Sequence, residues 1–317
     1  MREIMTVLGP ISPEELGFCQ CHEHLLISRG RSFEVNPVLC IDDVRKSLKE
    51  LIRYKAAGGG TIVDAQPGGC SRMPAGLAHI SAESGVNILA STGFHKLIFY
   101  PETHWIHTAS EEMLTDFFVG ELQNGMHTDI DLTFLPSICP HRAGLIKTAL
   151  DTEGLTPRYR RLFSAAANAA NITDKNIMIH VEQGADPSRL LDFLLSQKVI
   201  PARLIFCHMD RACPDPESHL KVLRHGCYLE FDTIGRFKYH SDEQEVQLIR
   251  SLIHAGFEKQ LLYSLDTTKA RLKSYDDSAI GLDYILTTFN HLLLNAGVTQ
   301  EQIHLISAVN CVQAFTQ

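Results

Sequence analysis

The feature that most constrains this chain is a regular alternation. Eight short apolar runs, FCQCHEHLL, GTIVDAQ, VNILASTGF, AGLIKTAL, NIMIHVEQ, RLIFCHMD, CYLEFDTIG and LLYSLDTT, follow one another from residue 18 to residue 268, with helix signals between them. Runs this short and apolar suit parallel strands buried on both faces, and parallel strands need a crossover helix between them. The helix signals carry their own punctuation. Val44, Leu48, Leu51 and Ile52 fall at helical spacing with Gly58 as a stop. Thr156, Asp186 and Asp215 each precede a proline (Pro157, Pro187, Pro216), the order of an N-cap followed by the first helical turn. Ser241 with Gln244, and Thr299 with Gln302, have capping-box spacing. Eight strands alternating with at least six helices predict an α/β fold, a (β/α)8 barrel in a single domain over residues 1–317. The rival, a doubly wound open sheet, would show a G-x-G-x-x-G turn after its first strand, and the sequence has none there.

Composition narrows the partners. The net charge is −8 at pH 7, and no basic stripe with interleaved aromatics is present, which argues against nucleic acid and for a small-molecule substrate. No apolar run approaches the roughly 18 residues of a membrane span, and MREIMTVLGP lacks the layout of a secretory signal, so a cytoplasmic protein is expected, with no membrane partner. The nine cysteines (19, 21, 40, 70, 139, 207, 213, 227 and 311) show no C-x-x-C spacing and read as reduced packing thiols. The sequence is compatible with a homodimer.

Against sixteen histidines in 317 residues, the pair His22 and His24 is by itself close to a chance event. Position changes its weight. His22 and His24 lie in the first strand run, His180 in the fifth, His208 in the sixth and Asp266 in the eighth, each near the C-terminal end. Active sites of such barrels are built from those ends. Residues i and i+2 of a strand share a face, so both imidazoles of the pair can grip one cation, with Glu23 turned to the surrounding helices. Imidazole and carboxylate suit zinc, and equally manganese, cobalt or iron. Lys147, amid Leu145 and Ile146 in the fourth run, leaves two readings open: an ammonium whose stem packs while its head reaches water, or a neutral amine carboxylated by carbon dioxide to an anion able to bridge two metals.

The stretches VLGPISPEELG, HEHL, VDAQPGG, ASTGFHKLIFYP, AGLIKTAL, IMIHVEQG, CHMDR, FDTIGRFKY and LYSLDTTKARLKSY together resemble the phosphotriesterase-like branch of the amidohydrolase superfamily over essentially the whole chain. The resemblance implies a binuclear centre of two divalent ions, with zinc expected ahead of manganese or cobalt. It implies His22, His24 and Asp266 on the more buried ion, His180 and His208 on the second, and Lys147 as the carboxylated bridge. It also implies a hydroxide spanning both ions, with Asp266 as the group that takes and relays its proton. The sequence departs from the family's usual pattern at Cys207, where glycine is commoner, and at NCVQAF near the end.

Substrate choice must lie in the loops. After the eighth run, TTKARLKSYDD places Lys269, Arg271, Lys273 and Tyr275 within seven positions, and Lys238 with Tyr239 follows the seventh run. Loops after strands seven and eight are where barrels often hold phosphate, and these donors suit a dianion. The likeness points to the members that open phosphofuranose lactones. The expected phosphate contacts are Lys238, Arg271 and Tyr275, with Lys273 competing for the role of Arg271, while Phe94, His95 and Lys96 line the lactone pocket. An acyl-homoserine lactonase or a phosphotriesterase or aryl esterase on the same centre is the second reading, and a non-catalytic metal-holding barrel the third. His141 and Arg142 read as plain loop.

Overall fold

The computed structural model describes residues 3–134, 137–212 and 215–316. Cys213, expected among the packing thiols, lies outside the described residues. Eight strands form one parallel sheet: β1 Phe18–Glu23, β2 Gly59–Asp64, β3 Asn87–Gly93, β4 Leu145–Leu150, β5 Ile177–Val181, β6 Leu204–Cys207, β7 Tyr228–Phe231 and β8 Leu261–Tyr263. Each is paired to its neighbour in chain order, β1 through β8. Seven fall inside the apolar runs of the sequence, and β2 begins one residue ahead of its run, at Gly59. Helices follow each strand up to β7: α1 Val44–Ala56, α2 Pro74–Ser84, α3 Glu111–Gln123, α4 Pro157–Thr173, α5 Pro187–Ser196, α6 Pro216–Arg224 and α7 Asp242–His254. After β8 the chain returns through helical segments that end at Asn310–Phe315. This is a (β/α)8 barrel.

The caps act as their residue types demand. The side chains of Thr156, Asp186 and Asp215 accept from Tyr159, Ser188 and Glu217 backbone N–H groups, and both capping boxes form. Each satisfies donors that a helix start otherwise leaves orphaned.

The barrel closes between β8 and β1 largely through side chains. Asp266 N–H donates to His22 O at 3.0 Å. Ser264 Oγ accepts from His22 N–H at 2.9 Å. Glu23, which simple alternation would turn to the helices, is instead the clasp of this seam. Its carboxylate accepts from Ser264 Oγ, Leu265 N, Thr267 N and Thr267 Oγ1 at 2.6 to 3.0 Å and is fully buried. The reason is geometric: β8 stops at Tyr263, so the following residues offer donors that a backbone ladder no longer uses.

A second irregularity sets the interior. The β1–β2 register slips between Gln20 and Glu23, so Gln20 faces Ile62 while Glu23 faces Asp64. The extra residue is a bulge, and it resets which side chains face in. Cys19 and Cys21 lie inside the barrel with Val63, Leu89, Leu145, Met178, Ile205 and Leu262. Past the bulge, His22 also faces inward, and so does His24. Strict alternation would have put Cys21 and His22 on opposite faces.

Candidate active site

The inward residues at the C-terminal ends of the strands converge. His22 Nε2 and His24 Nε2 lie 3.9 and 3.5 Å from Asp266 Oδ1. Lys147 Nζ is 2.8 Å from His22 Nε2, and its side chain is fully buried. His180 Nδ1 and His208 Nε2 are 2.7 Å apart, and His208 Nδ1 is 3.9 Å from Asp266 Oδ2. All six residues singled out as ligand candidates therefore meet in one place, drawn from five strands. Among the described residues, no carboxylate lies within 4.0 Å of Lys147 Nζ, so this buried amine has only the histidine cluster for company.

Two of these residues hold backbone conformations that L side chains seldom take. His208 has φ of 61° and Asp266 of 48°. Strain of this kind persists where surrounding structure imposes it, and here it is what aims both side chains at the cluster. At His208 the left-handed turn lets it face inward immediately after the inward-facing Cys207. Gly93 serves the same end: its φ is 103°, and a Cβ there would fall 1.9 Å from the Lys147 carbonyl oxygen. Only glycine lets β3 approach the lysine so closely.

Carboxylates behind the imidazoles fix their orientation. His208 Nδ1 is 2.5 Å from Asp232 Oδ1, His22 Nδ1 is 3.1 Å from Asp232 Oδ2 and 3.4 Å from Glu230 Oε2, and His180 Nε2 is 3.3 Å from Glu182 Oε2. His208 and His180 donate these N–H groups outward to carboxylates and turn the lone pair of the other nitrogen inward, while His22 Nδ1 lies beside its two carboxylates without a hydrogen bond. Burial holds these rings neutral, lowering His180 to about 3 and His22 to about 4 and placing His208 well below the usual histidine range. For Asp266, burial acts to raise the carboxyl, but the Arg236 guanidinium and the two histidines prevail and hold it well below the carboxylate range.

Two inward lone pairs facing each other at 2.7 Å, as in His180 and His208, repel unless a cation or proton stands between them. His24 Nδ1 is buried without a hydrogen-bond partner. The donor atoms of His22, His24 and Asp266 lie within 4.8 Å of one another, as do those of His208, Asp232 and Asp266. Neutral imidazoles, an ionised carboxylate and a buried amine form a donor set that fits divalent transition metals.

A cavity of about 200 Å³ opens above the cluster, lined by His22, His24, His180 and Asp266 together with His95, Lys96, Glu182, Arg211, Arg236, Lys238 and Tyr239. His95, Lys96 and Lys238 thus stand where the sequence suggested. Lys96 pairs with Glu182. Arg271 lies in an adjoining groove with Phe237 and Lys238 and donates to Ile234 O at 2.5 Å. Lys273 and Tyr275, expected at the phosphate, are not among the lining residues. Lys273 Nζ is held by Asp283 at 2.9 Å, and Tyr275 Oη accepts from Asp43 N–H at the start of α1. Phe94 is buried against Phe163 behind the cavity wall. His141 is loop, its Nδ1 2.8 Å from Val7 O. Sequence reasoning missed Arg211 and Arg236. Arg211 follows the ligand candidate His208 by three positions, which was the available signal, and Arg236 sits in the loop after β7, two positions before Lys238. Arg236 donates to both the carboxylate of Asp266, at 2.9 Å, and its carbonyl oxygen.

These features define a hydrolase-type barrel with a ligand cluster at its mouth, and comparison with known proteins agrees. Residues 2–315 match the phosphotriesterase family model, and the chain belongs to that family. It is 27% identical to a phospho-furanose lactonase of Mycoplasmopsis synoviae, covering 98% of this chain and 92% of that one. It is 28% identical to an N-acetyltaurine hydrolase of Danio rerio, covering 97% and 96%. A solved structure of a lactonase from Listeria monocytogenes superposes with a TM-score of 0.89 at 27% identity over 99% of this chain and 98% of that one. The protein is a hydrolase. No helix among the described residues is long and apolar enough to cross a membrane.

Proposed function

We propose that the chain is a single-domain, metal-dependent lactonase that opens the ring ester of a five-carbon sugar 1,4-lactone bearing a 5-phosphate. The observation that carries this reading is the cationic wall of the cavity. Arg211, Arg236 and Lys238 line a space of about 200 Å³ directly above the ligand cluster, with Arg271 beside it. Arg236 is committed to Asp266, and Arg211 donates to Tyr239 Oη at 2.8 Å. Lys238 Nζ sits 4.5 Å from the Tyr239 ring centre and, among the described residues, has no carboxylate within 4.0 Å. Its ammonium is therefore free to take a dianion, as are the remaining N–H groups of Arg211 and Arg271.

His22, His24 and Asp266 would hold one divalent ion and His180 with His208 the other, with Lys147, carboxylated at Nζ, shared between them. When bound, the two ions, zinc ahead of manganese or cobalt, lower the pKa of a water and polarise the scissile carbonyl. The protein's own part follows from its side chains. Asp232 and Glu182 fix the tautomers of His208 and His180. Asp266, kept ionised by Arg236, accepts the proton of the attacking water at its carboxylate and returns it to the departing ring oxygen. Lys238 anchors the phosphate so that the ring carbonyl lies over the cluster.

The test is a panel of 1,4-lactones with and without the 5-phosphate, assayed on parent and Lys238→Ala. A preference for the phosphorylated members that disappears in the variant supports the reading; equal rates on both classes in the parent defeat it. One observation favours the acyl-homoserine lactonase alternative. The adjoining groove of about 340 Å³ includes Val38, Phe237 and Ala270, and Phe237 is 64% exposed, a surface that would take an acyl tail. Phe237→Ser separates the readings, since it removes the apolar surface for a long-chain acyl lactone without adding charge beside Lys238 and so spares a sugar phosphate lactone.

A further inference from the structure

The opposite end of the barrel holds a group of side chains that hydrolysis leaves unused. Cys19 and Cys21 face into the barrel from β1, and Cys311 meets them from the last helix, Asn310–Phe315. Their sulfurs all lie within 4.8 Å of one another, and Cys21 Sγ is 3.3 Å from Cys311 Sγ. All three are fully buried among Ile4, Leu16, Val63, Met178, Leu262 and Phe315. No carboxylate or imidazole belongs to the group.

Thiols used only as small apolar fillers have no reason to meet. Cys70 and Cys227 fill that role singly, in the layer between strands and helices. The i, i+2 spacing of Cys19 and Cys21 puts both on one face of β1, and a backbone irregularity precedes Cys311 in the last helix. The β1 bulge lets His22 and His24 serve the mouth. The π-helical turn Leu305–Val309 directly precedes the helix that carries Cys311, and such turns re-aim the side chains after them.

We propose that Cys19, Cys21 and Cys311 form a binding site for one soft d10 cation, of the Cu(I) class, in the barrel floor. Sulfur donors select soft ions over magnesium or manganese. Metal–sulfur bonds of about 2.3 Å place three sulfurs about 4 Å apart around one centre, within the span these residues already have. Three donors with an apolar surround give a three-coordinate site closed to water, whereas structural zinc takes four protein ligands. Each ligating thiol exchanges its S–H bond for a sulfur–metal bond and releases the proton to solvent, with no change of oxidation state. A cleft of about 530 Å³, lined in part by Pro13, Val312, Gln313 and Thr316, lies beside the helix that carries Cys311. The bound ion ties β1 to a helix 290 residues away and so locks the floor.

The probe is Cd(II), titrated under reducing conditions into full-length protein whose mouth has first been filled with zinc. Apart from Cys207, which lies against His22, Glu230 and Asp232, the mouth cluster offers nitrogen and oxygen, so an ultraviolet sulfur-to-cadmium charge-transfer band reports the floor thiols once Cys207 is controlled for. The expected result is a band saturating at one equivalent per chain in the parent, retained in Cys207→Ala and weakened about tenfold in Cys311→Ala and Cys19→Ser. Cu(I) supplied from a chelated complex raises the melting temperature of the parent and not of Cys311→Ala, whose hydrolytic rate is unchanged. A parent with no band overturns the site without recourse to any variant. So does a band that survives both floor substitutions, or one lost in Cys207→Ala.

Discussion

Within β1 the inward side chains change from thiols to imidazoles in three positions. Cys19 and Cys21 belong to the floor, His22 and His24 to the mouth, and one bulge separates them. The same contrast holds around the barrel. Leu145 and Lys147, Met178 and His180, Leu262 and Asp266 are pairs on single strands or their extensions whose lower member packs and whose upper member is ionisable or metal-binding. The floor is held mainly by apolar contact among the inward strand residues. The mouth has charges stacked in layers, neutral imidazoles backed by carboxylates, and residues in strained conformations at His208 and Asp266. Stability is thus concentrated at one end and chemistry at the other, and substitutions at the two ends should separate cleanly.

Asp266→Asn should give the largest effect at the mouth. It removes both a ligand charge and the proton acceptor, and kcat/KM for a lactone should fall about a thousandfold with the unfolding transition little changed. Steady-state kinetics beside urea denaturation measures both. Glu23→Ala attacks the seam and blurs the contrast. It leaves four buried donors without an acceptor, so stability should drop by about 3 kcal/mol in urea, and activity should fall too because His22 and His24 flank the lost clasp. If stability is unaffected, the closure of the barrel does not depend on Glu23.

Lys238→Ala is narrower. KM for a phosphorylated lactone should rise about tenfold while that for the unphosphorylated lactone stays put. The smallest effect belongs to the floor side, at Lys175. Burial, helped by the Arg142 charge, pulls its ammonium from the ordinary lysine range down to about 8. Between about pH 8 and the ordinary lysine pKa, the unfolded chain then holds a proton that the folded chain has released, so stability rises with pH across that window. Below the window both forms are protonated and the cost of burying the charge is felt in full. Denaturation at pH 7.5 and 9.5 should differ by about 1–2 kcal/mol in the parent, and Lys175→Met should remove that increment.

Much of this was legible in the sequence because it depends on period and position. The strands are short apolar runs, the caps are residue types with a single local partner, and the six ligand candidates share one strand end. What was not legible depends on direction. Lys273 and Tyr275 lie within four positions of Arg271, yet Asp283 and the start of α1 claim them, and nothing in loop composition foretells such partners. Arg211, from the short helix Met209–Ala212, and Arg236, from a loop, entered the cavity for the same reason in reverse. The bulge in β1 is equally silent: FCQCHEHLL reads as uniform alternation, and only pairing with β2 reveals the added residue.

The central claim is that the mouth, and not the chain at large, is a two-ion centre built on His22, His24, Lys147, His180, His208 and Asp266. An anomalous-difference map from crystals of zinc-replete protein tests it most directly. Two peaks are expected, one against His22, His24 and Asp266 and one between His180 and His208, with density joining Lys147 Nζ to both. A single peak, or zinc bound elsewhere with Lys147 unmodified, would contradict it.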